Sequence, residues 1–594
     1  MTDAESADLG PLPEWDLSDL YPGRDSDELA ADLKRIEGEA GSFRDRYKDR
    51  LAGLDGASFG AAIAEYEAID EAMGKAMSFA HLVYAGNVGD PDTGRFYQTM
   101  QEKVTAISAE ILFFTLEINK LDDENIAEKL KAAETAHYAH WLRDTRARRA
   151  YQLDEELERL LHEKRVAGRA AWNRLFDETM ADMRFPFGED QMTSEQILHL
   201  LTDPDSEIRR RAATSIGEVL GRHARVFSLI TNTLAKDKEI EDRWRGFPSP
   251  QSSRNLANHV EDEVVDALAD AVVGAYPDLS HRYYRLKAKW FGVEALDYWD
   301  RNAPLPEAGE KLITWDQAQN TVLDAYADFS EELAGIGRRF FDNSWIDAPA
   351  REGKAGGAFA HPTVPSAHPY LMLNYQGRPR DVMTLAHELG HGVHQVLAGP
   401  QGALMSDTPL TLAETASVFG EMLTFRALLA NETDPARRKA LLASKVEDML
   451  NTVVRQIAFY CFERKIHGER RDGELSSERI CDIWMEVQGD SLGPAVRFQD
   501  AYRWYWTYIP HFIHSPFYVY AYAFGDCLVN SLYAVYQNAD PGFVEKYLDL
   551  LRAGGTLRHR ELLAPFGLDA SDPAFWSRGL GIVSGLIDEL EEME

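Results

Sequence analysis

Five consecutive residues, His387-Glu388-Leu389-Gly390-His391, spell H-E-x-x-H. On a helix, residues four apart stack one turn above each other, with Cβ atoms about 5–6 Å apart. Two imidazoles placed this way reach one metal ion. A carboxylate one step round the helix then sits beside that ion as a base for a water molecule. The chemistry expected is metal-assisted hydrolysis of a peptide bond. It requires a helix around the motif, and the flanks supply one. Val382, Leu385, Ala386, Leu389, Val393, Val396 and Leu397 recur at intervals of three and four, the helical period. Asp381, just after Pro379, is the expected N-cap, and Gly399-Pro400 the expected stop. Gly390 and Gly392 each cost about 1 kcal/mol relative to alanine inside a helix. Their presence implies that something packs or binds close to the backbone there.

A catalytic zinc takes three protein ligands and leaves a fourth position for water. The extended pattern H-E-x-x-H-x-x-G-x-x-H is not met, because His394 and Leu397 stand where its glycine and third histidine would be. The third ligand is therefore expected from a second helix, within Thr408–Leu423. Glu414 and, seven residues on, Glu421 share a face of that segment. Thr411 to Glu414 also fits a capping box, in which Glu414 would only satisfy a helix N-terminus, and Glu421 could be an ordinary surface residue. The apolar neighbours Leu412, Val418, Phe419, Met422 and Leu423 bury this helix, and a buried carboxylate without a partner is costly. Glu414 is accordingly taken as the third ligand and Glu421 as a partner that orients a ligand histidine. His394 shares the face of His387 and His391. It is read as a supporting or substrate-side group, because a fourth ligand would close the water position.

These residues resemble a known family. His387-Glu388-Leu389-Gly390-His391-Gly392-Val393-His394 is similar to the H-E-x-G-H-x-x-H of the thimet oligopeptidase and oligoendopeptidase F zinc peptidases. Glu414-Thr415-Ala416-Ser417 with Glu421 resembles their E-x-x-S-x-x-x-E segment, whose first glutamate is the third zinc ligand. Gly353-Lys354-Ala355-Gly356-Gly357-Ala358-Phe359 and Leu373-Asn374-Tyr375 look like the family's substrate-edge segment, which implies substrate contacts from Gly356, Gly357, Ala358, Phe359 and Asn374. Trp15-Asp16-Leu17-Ser18-Asp19-Leu20-Tyr21 resembles the oligoendopeptidase F branch.

Residues 502–524 are dense in aromatics, with His511 and His514 among them. Most of these rings are expected in the core, yet several tyrosines on one stretch also suit a cleft wall. Hydrogen-bond donors aimed at a developing oxyanion stabilise the transition state of acyl transfer. The stretch His511–Tyr522 resembles the family's histidine–tyrosine segment, which contacts substrate and oxyanion. Its spacing leaves open the choice among Tyr518, Tyr520 and Tyr522, and between His511 and His514. His511, Tyr518 and Tyr522 are taken as the donors and Tyr520 as a substrate contact.

The elements that must position these groups are mostly helical. Apolar periodicity predicts helices over 26–50, 57–85, 93–120, 124–145, 147–182, 206–243 and 260–290. Phe185–Asp190 interrupts the pattern with room for a short strand pair. Residues 345–380 are rich in glycine and proline, and Tyr370–Tyr375 has the composition of a strand. A strand there could pair with an extended peptide substrate. A boundary near 190 is expected to divide an N-terminal helical lobe, 1–190, from a catalytic domain, 191–594.

Composition bounds the rest. At 594 residues, 45% hydrophobic and 11% aromatic, the chain is a large globular protein. A net charge of −35 argues against nucleic acid or an anionic membrane as partner. There is no apolar run long enough to span a bilayer, and the acidic start Met1–Ser6 lacks the layout of a secretion signal. Cys461, Cys481 and Cys527 have neither metal spacing nor a disulfide pattern, and a reducing cytoplasm is expected.

The expected molecule is mainly α, with a small sheet beside a thermolysin-like H-E-x-x-H helix. It binds one zinc ion per chain through His387, His391 and Glu414, with Glu388 as general base. The resemblance implies two helical lobes around a deep channel that admits oligopeptides. Its activity is expected to be endopeptidase cleavage of short oligopeptides, by a monomer or homodimer. The rivals are a carboxypeptidase or dipeptidyl carboxypeptidase of the same chemistry, and a helical binding protein with a structural zinc.

Overall fold

The computed structural model describes residues 9–165, 167–305, 312–538 and 542–593. Helix dominates, and the strands are few and short. The chain groups into two compact units, each assembled from three stretches. One comprises 1–150, 310–431 and 539–566; the other comprises 151–309, 432–538 and 567–594. Neither unit ends at the single boundary expected near 190. The chain leaves and re-enters each unit, which a reading along the sequence cannot register.

The first unit begins with α1 (Asp27–Tyr47), α2 (Gly56–Gly86) and α3 (Pro91–Ile111). Their caps explain where they start. Ser26, Asp55 and Asp90 each accept a hydrogen bond from a first-turn amide, as side chains at this position do. Asp27 and Glu28 open α1 and Arg44 and Arg46 close it, which suits the helix dipole. Ile36, Phe43, Phe59, Ile63, Ile107 and Phe114 form their common core. The helix expected over 93–120 breaks at the exposed Leu112, while Ile107, Ile111, Phe114 and Ile118 carry the buried stripe across the break.

In the second unit, β1 (Phe185–Phe187) and β2 (Asp190–Met192) pair antiparallel, as the interruption near 185–190 led us to expect. The 40-residue α4 (Ser206–Arg245) follows and ends on Gly246 in the left-handed conformation. The helix expected over 260–290 divides into 262–275 and 280–290. Pro277 accounts for the division, since it cannot donate a backbone hydrogen bond.

The segment 312–431 of the first unit carries the motif. It runs through α5 (Trp315–Phe329), α6 (Glu331–Asp342), β3 (Ile346–Pro349), β4 (Phe359–His361), β5 (Tyr370–Tyr375), α7 (Pro379–Ala398) and α8 (Thr415–Asn431). The strands form one sheet in the order β3-β5-β4, parallel on one side of β5 and antiparallel on the other. Tyr370–Tyr375 is a strand, as expected, but it is central. Both its edges are taken, so it cannot add a peptide, and β3 and β4 are the edge strands. Lys354 ties the turn between β3 and β4. Its ammonium donates to Asp347 Oδ1 at 2.6 Å and to the carbonyls of Asp347, Pro349 and Leu373 at 3.0, 2.9 and 2.5 Å.

The second unit closes with α9 (Val454–Arg470), α10 (Tyr520–Gln537) and α11 (Pro573–Glu592). Phe524 of α10 packs edge-on against Trp576 of α11. Among the described residues no helix is long and apolar enough to cross a membrane.

His467 of α9 gives this packing a pH signature. Its ring lies 4.8 Å from that of Phe517. Burial, then the cations Lys238, Arg169 and Arg471, push its pKa down to about 3. Between pH 6.5 and 4 the unfolded chain therefore takes up a proton at this position that the folded chain refuses. Stability falls on acidification, by about 1.4 kcal/mol per pH unit for this group. His467→Gln is expected to flatten the fall of melting temperature between pH 6.5 and 4.5, and an unchanged slope would refute the assignment.

Candidate metal centre

Helix α7 begins one turn earlier than its expected cap. Pro379 occupies the first helical position, where its missing N–H is no loss. Asp381 sits in the third, and its carboxylate accepts from the amides of Arg378 and Gln376 at 3.0 and 2.9 Å. The motif thus lies in the middle of a 20-residue helix, away from fraying ends. His387 and His391 stack on one face with ring centroids 4.9 Å apart.

Glu414 comes from neither a capping box nor a helix interior. It caps the C-terminus of a short helix, Leu410–Ala413, and immediately precedes α8. That break turns its side chain to the histidines. Glu414 Oε2 lies 3.3 Å from His387 Nε2 and 3.4 Å from His391 Nε2. Four ligands arranged tetrahedrally about 2.1 Å from a zinc ion would be about 3.4 Å apart. The candidate atoms of His387, His391 and Glu414 all lie within 4.8 Å of one another, a group able to hold a metal ion. The donor set and its spacing therefore fit a divalent metal with a position to spare.

The approach of α8 to α7 depends on Gly390. A methyl group there would lie 2.5 Å from Ala416 O and 2.7 Å from Ser417 Cα, closer than packing allows. On another face, a methyl on Gly392 would meet the Phe340 ring of α6 at 2.7 Å. The two glycines that signalled close packing thus seat the helix against its neighbours. Tyr326 of α5 adds a polar contact: its buried hydroxyl donates to Ala386 O at 2.6 Å and lies against Gly420 of α8.

Around the three converging atoms stand groups of distinct electrostatic character. Glu421 Oε2 accepts from His387 Nδ1 at 3.1 Å, leaving Nε2 turned to Glu414. Desolvation disfavours an imidazolium at His387, but Glu414 and Glu421 outweigh it and raise its pKa to about 10. The carboxylates thus favour positive charge at His387. Burial opposes ionisation of Glu414, yet His387 and His391 hold it well below the usual carboxylate range. Glu388 is 8% exposed, and burial raises its pKa against the pull of His387, His391 and the Ala360 amide. Burial pushes His394 down to about 4. It stays neutral beside Thr408, whose Oγ1 lies 3.4 Å from its Nε2.

Sequence reasoning passed over three supporting residues. Ser417, seen only within the family motif, donates from Oγ to Glu414 Oε2 at 2.7 Å. Gln395, a further turn along α7, reaches Ala360 O of β4 at 3.5 Å. Tyr326, 60 residues from Ala386, leaves no local signal. The Gly356-Gly357-Ala358 turn leads into Phe359 of β4, and Gly357 takes φ +80°, a conformation open to glycine. Asn374 donates to Ala355 O and Gly357 O at 3.0 and 2.9 Å, so its amide N–H groups fasten this turn.

The structure gathers His511, Tyr518 and Tyr522 in the second unit. Tyr522 Oη lies 3.4 Å from His511 Nε2, and the Tyr518 and Tyr522 ring centroids are 5.3 Å apart. His514 pairs instead with Asp177 at 2.8 Å. Tyr520, expected as a substrate contact, is fully buried, and its hydroxyl accepts from Asn258 Nδ2 at 2.9 Å. On α10 it faces inward and Tyr522, two residues on, does not.

A metal-competent centre on a helical scaffold agrees with the comparisons to known proteins. Residues 199–582 match the model of Peptidase family M3 and residues 117–185 that of Oligopeptidase F. The chain belongs to peptidase family M3. It is 25% identical over 601 residues to Oligopeptidase PepF of Bacillus subtilis (strain 168), covering 98% of this chain and 87% of that one. It is 27% identical over 606 residues to an Oligoendopeptidase F homolog of Lactococcus lactis subsp. lactis (strain IL1403), covering 98% and 97%. The fold matches the crystal structure of oligoendopeptidase-F from Enterococcus faecium with a TM-score of 0.70 at 23% identity, over 95% of this chain and 99% of that one.

Gly390→Ala is expected to force α8 away from α7 and weaken divalent metal binding about 10-fold or more, as disturbed ligand support does. Competition with a chromophoric chelator measures this, and unchanged affinity would remove the glycine contact from the account.

Proposed function

We propose that this M3 peptidase is a zinc-dependent endopeptidase that hydrolyses internal bonds of short oligopeptides. The observation that carries the proposal is the convergence of His387 Nε2, His391 Nε2 and Glu414 Oε2 beside the buried carboxyl of Glu388. The relatives' names, oligopeptidase and oligoendopeptidase, support the substrate class.

His387, His391 and Glu414 hold the zinc ion. Bound there, zinc supplies Lewis-acid polarisation of the scissile carbonyl and acidifies a water molecule towards neutrality. Glu421 keeps the proton of His387 on Nδ1 and so fixes the tautomer that presents Nε2. Glu388 takes a proton from the attacking water on its carboxylate and returns it to the departing amine. Burial raises its pKa above a free glutamate's, which strengthens it as a base. His394, held neutral, adds no competing charge. His511, Tyr518 and Tyr522 donate hydrogen bonds to substrate and oxyanion, an assignment that rests on the likeness of their segment to the family's. Gly356, Gly357 and Ala358 lead into Phe359 of the edge strand β4, and the four residues offer backbone groups to an extended peptide. The three free thiols, Cys461, Cys481 and Cys527, suit a reducing compartment, and we place the enzyme in the cytoplasm.

Glu388→Gln is expected to retain zinc and lose activity by about 100-fold or more, whereas His387→Ala loses both. Metal analysis alongside an internally quenched peptide assay separates the two, and an active Glu388→Gln enzyme would refute the base. Endopeptidase action predicts equal cleavage of a peptide with free ends and the same peptide blocked at both. Cleavage of the free peptide alone would mark a carboxypeptidase or dipeptidyl carboxypeptidase.

A further inference from the structure

The backbone between His511 and Tyr522 is irregular. A short helix ends at His514, and α10 begins at Tyr520. Buried loop backbone must find hydrogen-bond partners, and here charged side chains from three separate elements supply them. Arg169 donates to the carbonyls of Ile513 and His514 at 3.0 and 3.1 Å. Arg254 donates to Pro516 O at 3.3 Å and lies over the Tyr518 ring. Glu463 of α9 accepts from the Phe517 amide at 2.8 Å.

Phe517 is the strained point of this stretch. Its φ is +59°, in the left-handed region that non-glycine residues seldom occupy. Such conformations persist where their surroundings over-determine them, and they gather at functional sites. A glycine would adopt this φ freely but would leave unfilled the space of a fully buried ring, which packs on His467 and Tyr460.

We infer that Glu463 is a positioning residue of this peptidase: its carboxyl locks the left-handed backbone of Phe517 and so sets the placement of His511, Tyr518 and Tyr522. The inference rests on the proposed role of those three residues. Glu463 is 2% exposed, and its Oε2 has no hydrogen-bond partner among the described residues. A buried carboxyl is costly, and this one makes a single hydrogen bond, to the strained amide. Burial pushes its pKa up to about 8, moderated by the Phe517 amide, Arg254 and Lys238. Phe517 directly precedes Tyr518, and Tyr522 follows four residues later in the first turn of α10, so a shift of the Phe517 peptide moves both phenols. Misplacement of about 1 Å from a remote change can cost on the order of 100-fold in rate.

Glu463→Leu and Glu463→Gln test this in the full-length zinc-loaded enzyme. Both remove the buried acid and keep its bulk, but only glutamine can still accept from the Phe517 amide. The leucine variant is expected to lose about 100-fold in kcat with zinc content unchanged, and the glutamine variant to stay near wild type. Loss of packing or charge alone would affect both variants alike, so equal rates for the pair overturn the inference. Tyr522→Phe supplies the second readout. If Glu463 acts through the tyrosines, the double variant Glu463→Leu/Tyr522→Phe is no slower than the slower single one, whereas additive losses overturn the positioning role. A Tyr522→Phe enzyme as fast as wild type would instead remove the segment from the chemistry, and the role of Glu463 would fall with it.

Discussion

The candidate metal centre depends on how closely two helices can approach. Glu414 reaches His387 and His391 because α8 lies against the backbone of α7 at Gly390, with Ala416 and Ser417 filling the place of a side chain. Any Cβ at that position would widen the gap, and a glutamate has no spare length to follow. The same helix is seated on α6 through Gly392 and tied to α5 through the Tyr326 hydroxyl. Helices packed backbone to side chain on several faces have little room to shift, and a site built on such elements holds its geometry better than one on loops. The one candidate ligand off regular structure, Glu414, is steadied by Ser417.

Within this frame, environment assigns roles to three chemically identical side chains. Glu414 faces two imidazoles and is kept ionised. Glu421 meets the outer nitrogen of the same histidine. Glu388 is buried beside the sheet, and its proton affinity rises. Groups of one type whose surroundings push their pKa values apart are the usual mark of divided acid and base duties. The sheet takes part in this division, because the Ala360 amide of β4 bears on Glu388 while Gln395 of α7 holds the Ala360 carbonyl.

What was legible in the sequence was local and periodic. The motif helix, the long helix expected over 206–243, the strand Tyr370–Tyr375 and the strand pair expected near 185–190 all follow from patterns within a few residues of themselves. The misplaced features are set at a distance. Pro277 divides a helix through its missing amide, a signal present but overridden by the apolar repeat. The central place of β5 depends on strands before it in the chain. Thr411 and Glu414 have the spacing of a capping box, yet the helix ends at Ala413 and frees the carboxylate for the histidines. Tyr520 and Tyr522 cannot be told apart by type, since only the packing of α10 decides which phenol is buried. Nor could any local pattern assign residues 1–150 and 310–431 to one compact unit.

The buried and half-buried carboxylates sort themselves by partner. Asp347 is met by Lys354 and Arg351, Asp300 by Arg209 and Glu447 by Lys287. These are fixed cations, and such pairs hold turns and helices in register. Glu414 is met by imidazoles, whose charge can be exchanged for that of a metal. Glu463 is met by a backbone amide on a strained residue. Acidic side chains outnumber basic ones by 98 to 63, so overall charge does not mark out the functional acids. The distinction lies in whether the neighbouring positive group is permanent. Where it is, the carboxylate holds structure together; at Glu414 and Glu463, met by imidazoles and by an amide, folding has kept a desolvated acid without a permanent counter-ion, and the roles proposed for them are what would offset that cost.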